Sequence, residues 1–318
     1  MSPTPAIVVI VCTHARAQLL GVCLRSLAGQ TLPAERFEVI VVDSAAGTPG
    51  APAPDVPTGV RLIAATQPGL SHARNIGLAA ARAELAAFID DDATAEPGWL
   101  AAILAAFEAD PQAAAVGGPV RPIWPGTRPA WLDHRLEGFF SIIDRGPVAR
   151  RLDADEWLAG TNIAFRRDIA LRSGGFNEAL GRQPGSLLGN EELALTEALR
   201  RTGHAVRYEP AALVHHTVHA DRLNQAWLRR RATWQAISDL LSDTPPAPEA
   251  VDMPGLWQRV AACLGPQPAQ YRNLVGLTRD LEDAAGCHAQ TEAIGALVAL
   301  LANSGRSLET ALLGGRPP

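Results

Sequence analysis

Three consecutive carboxylates, Asp90-Asp91-Asp92, close an apolar run over residues 85–89, and no other stretch constrains the chain as tightly. Adjacent acids repel one another, and a folded protein keeps them together only where something positive offsets their charge. The apolar lead-in reads as a buried strand, which puts the acids where that strand leaves its sheet. In open α/β sheets, ligands bind in the crevice beyond the carboxyl ends of the strands. Hard divalent cations take oxygen ligands, and Mg2+ or Mn2+ commonly joins one or two carboxylates to substrate phosphates. The plain alternative is a solvated acidic turn leading into a helix near Glu96-Pro97. The rest of the chain has to decide between the two.

The order of elements is that of an α/β protein. Residues 6–12 form a β-branched run of the kind buried on both faces of a parallel sheet, and Leu19, Leu20, Cys23, Leu24 and Leu27 follow at helical spacing. Residues 37–42 read as a second buried strand ending at Asp43, so the chain opens with a right-handed βαβ unit. An Ala-, Gly- and Pro-rich loop spans 44–59, a short strand 60–64, and Ser71 is placed to cap a helix over 72–83. Beyond the acids we expect a helix over 99–109, a strand over 113–118, an extended loop over 119–131 and a strand over 163–165. Helices over 167–172 and from Glu191 to about 202 follow, with strands over 206–208 and 212–216. After Asp221 the pattern turns helical: one amphipathic helix over 223–241, a Pro-rich linker over 242–255, and further helical spacing to 313. The expected division is an α/β domain over 1–220 and a helical extension over 221–318.

Composition removes several classes. A net charge of −5 and a pI near 5.9 argue against a general nucleic-acid binder. Cys12, Cys23, Cys263 and Cys287 have neither CxxC spacing nor a histidine grouping typical of a zinc site, and are expected to be reduced thiols of a cytoplasmic protein. The N-terminus lacks the marks of a signal peptide, and no apolar run approaches the roughly 20 residues that span a bilayer. The turn after the first strand, Cys12-Thr13-His14-Ala15-Arg16, holds no glycine, which argues against a dinucleotide or S-adenosylmethionine site. No P-loop occurs.

Several residues stand where chemistry could happen. Asp43, at the end of the second strand, can accept a hydrogen bond from a base or ribose. Arg74 sits near the start of a helix on the same side as the strand ends. Glu191-Glu192 follow a glycine and open a helix, where a simple capping role is the plain alternative. His216, with the distant acids, makes a mixed nitrogen and oxygen metal site conceivable.

Together these segments resemble family 2 glycosyltransferases. Residues 6–16 resemble the opening strand and turn of that family, 39–44 its base-binding strand, 69–77 its ARN-type helix start, and 88–93 its DxD motif. Residues 160–166, 174–178 and 189–193 resemble its acceptor-side segment and acidic catalytic motif, and 216–223 the segment that follows the domain. The resemblance runs in order from residue 6 to about 235. It implies a GT-A fold over 1–220 with a mostly parallel sheet flanked by helices, and inverting transfer from a nucleotide-diphospho-sugar assisted by Mn2+ or Mg2+. By the same resemblance Thr13, Arg16, Asp43 and Arg74 would contact the nucleotide. Asp91 would meet the ribose, Asp92 the metal and diphosphate, with Asp90 near both. Asn162 would lie at the sugar or acceptor and His216 would complete the metal site. The base would be Glu192 or Glu191, because Glu192 stands where the family often has Asp. The acceptor would be a glycan, a lipid-linked molecule or a small molecule. A catalytically silent GT-A protein that binds nucleotide-sugars, or serves as a scaffold, is the reading from another class. The helix over 223–241 carries Trp227 and Trp234 with Arg222, Arg229, Arg230 and Arg231, a pattern that either packs against the rest of the chain or lies peripherally on an anionic membrane.

Overall fold

The computed structural model describes residues 5–46, 48, 53–242 and 279–303. They fall into two compact units. The first comprises Met1–Ile123, Ser141–Ser186 and Asn190–Thr217. The second comprises Trp124–Phe140, Leu187–Gly189 and the described part of Val218–Pro318.

The first unit is built on an eight-stranded sheet. Its strands are β1 (Ile7–Thr13), β2 (Phe37–Asp43), β3 (Arg61–Ala64), β4 (Leu85–Asp90), β6 (Ala113–Gly117), β8 (Arg150–Arg151), β9 (Ile163–Arg166) and β10 (Ala205–Tyr208). Across the sheet their order is β3-β2-β1-β4-β9-β6-β10-β8. The pairs β1–β2, β1–β4, β2–β3 and β6–β10 are parallel, whereas β9 runs antiparallel to β4 and β6 on either side of it. A second, three-stranded sheet holds β5 (Ala93–Ala95), β11 (Val214–Thr217) and β7 (Val120–Ile123) in the order β5-β11-β7. The stretch expected to be loop over 119–131 thus contains an edge strand, a position that tolerates Pro122.

Strand β1 is β-branched from Ile7 to Val11, where both of its faces are covered. Ile7, Val9 and Val11 pack with Leu20, Leu24 and Leu27 of α1 (Ala17–Ala28) and with Trp99, Leu100 and Ile103 of α3 (Trp99–Ala109). Val8 and Ile10 face the other way, into the cluster that holds Ala73 and Leu78 of α2 (Leu70–Ala80) and, further along the sheet, Leu195 and Leu199 of α5 (Glu191–Arg201). Each such side chain taken fully from water is worth about 1.5–3 kcal/mol. Gly77 lets α2 come this close, since a Cβ there would overlap the Ile10 side chain. Phe88 of β4, Phe165 of β9 and Phe176 stack edge to face at centroid distances of 5.0–6.0 Å, beneath the end of β4. The short helix α4 (Arg167–Arg172) completes this layer. Ser71 does not cap α2 as expected. The helix starts two residues earlier, after Gly69, and Ser71 Oγ donates instead to the Leu180 carbonyl at 2.7 Å.

The second unit pairs α6 (Gln225–Leu241) with α7 (Ala284–Asn303). Asn224 caps α6 by accepting from the Trp227 N–H at 2.8 Å. Gln225 exchanges two hydrogen bonds with the backbone of Leu281, and Ala232 packs with Ala293 and Ile294. Trp227 stacks on Phe140 at 5.0 Å. Cys12, Cys23 and Cys287 are free thiols. Cys263 and the expected Pro-rich linker lie outside the described residues. Among the described residues no helix is long and apolar enough to cross a membrane.

Candidate active site

Strand register assembles the site at one edge of the large sheet. Thr13 pairs with Asp43 and Cys12 with Asp90, so the carboxyl ends of β1, β2 and β4 deliver their polar residues side by side. Asp91 and Asp92 follow in the turn to β5, and His216 of β11 pairs with Ala93 at the start of that strand.

Much of the charge on the three aspartates is offset by the chain itself. Thr13 Oγ1 donates to Asp91 Oδ2 at 2.6 Å. Arg16 Nη1 lies 3.3 Å from Asp91 Oδ1 and 3.0 Å from Asp92 Oδ2. Arg74 Nη2 lies 3.1 Å from Asp90 Oδ1, and His216 Nε2 lies 3.3 Å from Asp92 Oδ1. Three adjacent acids require a positive partner, and two arginines already supply part of the charge that a metal was expected to bring. Burial still pushes the Asp91 carboxyl up to about 6, helped by Asp92 and Asp90 and opposed by the Thr13 hydroxyl and Arg16.

A second acidic centre stands at the start of α5. Asn190 enters the helix in the left-handed region (φ 71°), which asparagine tolerates better than most residues, and puts Glu191 and Glu192 in the first turn. Arg74 joins the two centres. Its Nη1 donates to Glu191 Oε1 at 2.6 Å while Nη2 reaches Asp90, and its guanidinium lies 5.5 Å from the Phe176 ring centroid. Arg74 is only 2% exposed. Burial works against its charge, but Glu191, Asp90 and Glu192 outweigh that effect and raise its pKa. A side chain so enclosed bridges the two acidic centres within the protein, at the residue the resemblance assigns to the nucleotide.

Glu192 is held differently. Its Oε1 accepts the Gly160 N–H at 3.2 Å. The residue keeps some surface exposure, yet its Oε2 is buried without a hydrogen-bond partner, as is Glu191 Oε2. Burial first, then the Glu191 charge, pushes the Glu192 carboxyl up to about 7, against Arg74 and the Gly160 N–H. That is the range in which a carboxylate exchanges protons at neutral pH. Glu191 is fixed in a short buried ion pair, and Glu192 is not.

Two expected residues stand apart from this network. Asp43 is buried at its strand end, where its Oδ1 accepts the Ala45 N–H at 2.9 Å in a local turn. Asn162, expected at the sugar or acceptor, is enclosed by protein groups. It has no solvent exposure, its Oδ1 accepts the Trp99 indole N–H at 2.8 Å, and its Nδ2 donates to the carbonyls of Pro119 and Ala212 at 3.0 and 2.7 Å. These three bonds use its amide as a clamp between α3 and the two sheets. The residues that matter beside it are Gly160, through its N–H, and Thr161, whose Oγ1 is buried without a partner. A backbone donor leaves no mark in a side-chain motif beyond the glycine itself.

For a divalent cation the chain offers a carboxylate and an imidazole, Asp92 and His216, side by side. Among the described residues no group of three or more His, Cys, Asp or Glu is arranged around a metal position. This donor set fits a hard or borderline cation whose remaining ligands are water and substrate oxygens, which is how Mg2+ and Mn2+ sites on phosphates are usually completed. Five linked carboxylates (Asp90, Asp91, Asp92, Glu191, Glu192) facing two guanidinium groups (Arg16, Arg74) also leave negative charge that a cation would offset. His215 is not part of this set, since its Nε2 pairs with Glu96 Oε1 at 2.7 Å.

Comparison with known proteins agrees with this geometry. The model of Glycosyl transferase family 2 matches residues 8–172. The succinoglycan biosynthesis protein ExoM of Rhizobium meliloti is 32% identical over 236 residues, 70% of each chain. The chain belongs to glycosyl transferase family 2. Within the family it is also similar to the glucosyl-dolichyl phosphate glucuronosyltransferase of Haloferax volcanii, 31% identical over 176 residues, which are 55% of this chain and 56% of that one. The pre-mycofactocin glycosyltransferase of Mycobacterium tuberculosis is 32% identical over 168 residues, 52% of this chain and 33% of that one. The chain therefore spans little more than half of the haloarchaeal relative and a third of the mycobacterial one. The fold is GT-A, shared with the mannosyltransferase PcManGT from Pyrobaculum calidifontis in complex with GDP-Man and Mn2+. That likeness has a TM-score of 0.53 and 22% identity, and covers 98% of this chain and 79% of the other.

Proposed function

We propose that this family 2 chain is an inverting glycosyltransferase. It would move a sugar from a nucleotide-diphospho-sugar to an acceptor hydroxyl, with Glu192 as general base and Mn2+ or Mg2+ assisting. One observation carries the reading: Arg74 ties the acids at the end of β4 to the glutamate pair at the start of α5, so a donor-side and an acceptor-side carboxylate centre share one site. Inversion requires a carboxylate to take the acceptor proton on the face opposite the leaving group. Glu192 suits that task, with its unpartnered Oε2 and a carboxyl pushed up to about 7.

Asp92 and His216 would hold the cation. When bound, it offsets the charge that grows on the departing nucleoside diphosphate. Asp90, whose side chain is 31% exposed, is the member of the triplet best placed to meet a ligand directly. Asp91, gripped by Thr13 and Arg16, orients the turn that carries Asp92. Asp43 would receive the base or ribose at the end of β2. The relatives' names, which speak of a dolichyl-phosphate-linked sugar and of succinoglycan, support a glycan or lipid-linked acceptor. All of these groups belong to the first unit, and the helical part after residue 220 is assigned no step.

A membrane role for α6 gains no support. Arg229 pairs with Asp280 at 2.8 Å, Arg231 is buried over the Phe139 ring, and Trp227 stacks on Phe140. The test of the proposal is a panel of UDP- and GDP-sugars, with release of nucleoside diphosphate measured with Mn2+, with Mg2+ and with EDTA. Turnover that survives in Glu192→Gln would remove the assignment of the base, and turnover indifferent to EDTA would remove the metal.

A further inference from the structure

Adjacent glutamates at the start of a helix have the same chemistry and nearly the same place, so something outside them must make their roles differ. The network around Arg74 does this. Its Nη1 is committed to Glu191 at 2.6 Å and its Nη2 to Asp90 at 3.1 Å, and the ring of Phe176 lies against the guanidinium. Gly160 closes the remaining side. A Cβ at that position would stand 2.7–2.8 Å from the guanidinium nitrogens, so only glycine leaves Arg74 room. The same Gly160 gives its N–H to Glu192 Oε1.

We propose that Arg74 is a positioning residue that assigns the two glutamates their separate roles, pinning Glu191 as an ion-pair partner and leaving Glu192 to accept the proton. The inference rests on the glycosyltransferase reading, but its physical core can be measured without substrate. The charged and titratable groups around the pair are Arg74 from α2, Asp90 from β4, Cys12 from β1 and the two glutamates themselves. Burial holds the Cys12 thiol protonated, pushed up to about 12, so it adds no charge near neutral pH. Arg74 is therefore the one cation among these groups, and its field favours ionised Glu192.

The experiment is a 13C titration of glutamate Cδ resonances in the full chain without ligand, with Glu191 and Glu192 assigned from Glu191→Gln and Glu192→Gln. Arg74→Met should raise the Glu192 midpoint by about one pH unit or more, the scale of losing an opposite charge within about 4–6 Å. Arg74→Lys should recover most of that shift, since it keeps the charge. Gly160→Ala displaces the guanidinium without removing its charge, and it serves if Arg74→Met does not fold. It too should move the Glu192 midpoint upward. A Glu192 midpoint unmoved in both Arg74→Met and Gly160→Ala overturns the inference. In the transfer assay, Glu192→Gln should be markedly less damaging when combined with Arg74→Met than alone, because Glu191 is then released to act. Equal fold-losses in the two backgrounds also overturn it. Loss of turnover in Glu192→Gln alongside unmoved midpoints refutes only the role of Arg74. Retained turnover in Glu192→Gln refutes the assignment of the base, and absence of transfer in the parent with every donor tested refutes the glycosyltransferase reading itself.

Discussion

Replacing Glu192 by Gln should slow transfer and, above neutral pH, stabilise the fold. A glutamate in the unfolded chain ionises near 4.5, whereas in the folded protein burial and Glu191 push this carboxyl up to about 7. Between those values the folded chain holds a proton that the unfolded chain has released, so stability falls as pH rises through the window and is lowest above it. At about 1.36 kcal/mol per pH unit the gap is on the order of 3 kcal/mol, and the partial exposure of Glu192 reduces it to about 1–3 kcal/mol. Gln carries no charge and escapes this cost. At pH 8 the variant should melt about 2–8 °C above the parent, and near pH 4.5 the difference should vanish. Activity should move the other way, with turnover falling roughly 10²–10⁴-fold. In the parent, kcat/KM should drop about 5-fold from pH 7 to pH 6, as the ionised fraction of a group titrating near 7 falls from about one half to about one tenth. Scanning calorimetry at pH 4.5 and 8, beside a pH profile of nucleoside diphosphate release, measures all of this. A variant that loses turnover but melts with the parent at both pH values would refute the buried-charge argument.

Three further outcomes are expected. Asp92→Asn and His216→Ala should each raise the Mn2+ concentration for half-maximal turnover at least about 10-fold, as loss of a ligand does; His215→Ala, whose imidazole is engaged with Glu96, should not, and an equal effect from all three would unseat the metal assignment. Asn162→Ala should destabilise the first unit by about 2–4 kcal/mol in urea titration, because it strips partners from the Trp99 N–H and two buried carbonyls, with donor affinity intact below the melting range. The full chain should stay in the supernatant when spun with phosphatidylglycerol vesicles at low salt. Sedimentation that Arg230→Glu abolishes would restore a membrane role to α6.

The fold was legible wherever one residue pattern had one physical solution. The β-branched run of β1 can be satisfied only by apolar cover on both faces, and the structure supplies it from the cluster of α1 and α3 on one side and from α2 on the other. Strand direction was not legible. Residues 163–165 read as a strand, but nothing in three residues says that β9 runs antiparallel between β4 and β6, because the choice depends on the long path from β6 through β7. Residues 120–123 were hidden by the prolines around them, which an edge strand accommodates.

The site was legible as an inventory of groups and much less so as a set of pairings. Repulsion among Asp90, Asp91 and Asp92 shows that a positive partner exists, but charge alone cannot distinguish a cation from an arginine, and here Arg16 and Arg74 already meet all three. The sequence places Arg74 near a helix start on the side of the strand ends, where a nucleotide contact is expected, and says nothing of its burial. Its burial follows from Gly160 and Phe176, which lie far away in sequence and close in space. Asn162 shows a different ambiguity: a polar residue in a motif invites a ligand, and an amide with one acceptor and two donor hydrogens can equally be spent on Trp99, Pro119 and Ala212. The glutamate pair is where the structure adds most. Sequence left Glu191 and Glu192 equivalent, and one buried guanidinium makes them different, holding one as a counter-ion and leaving the other free to titrate.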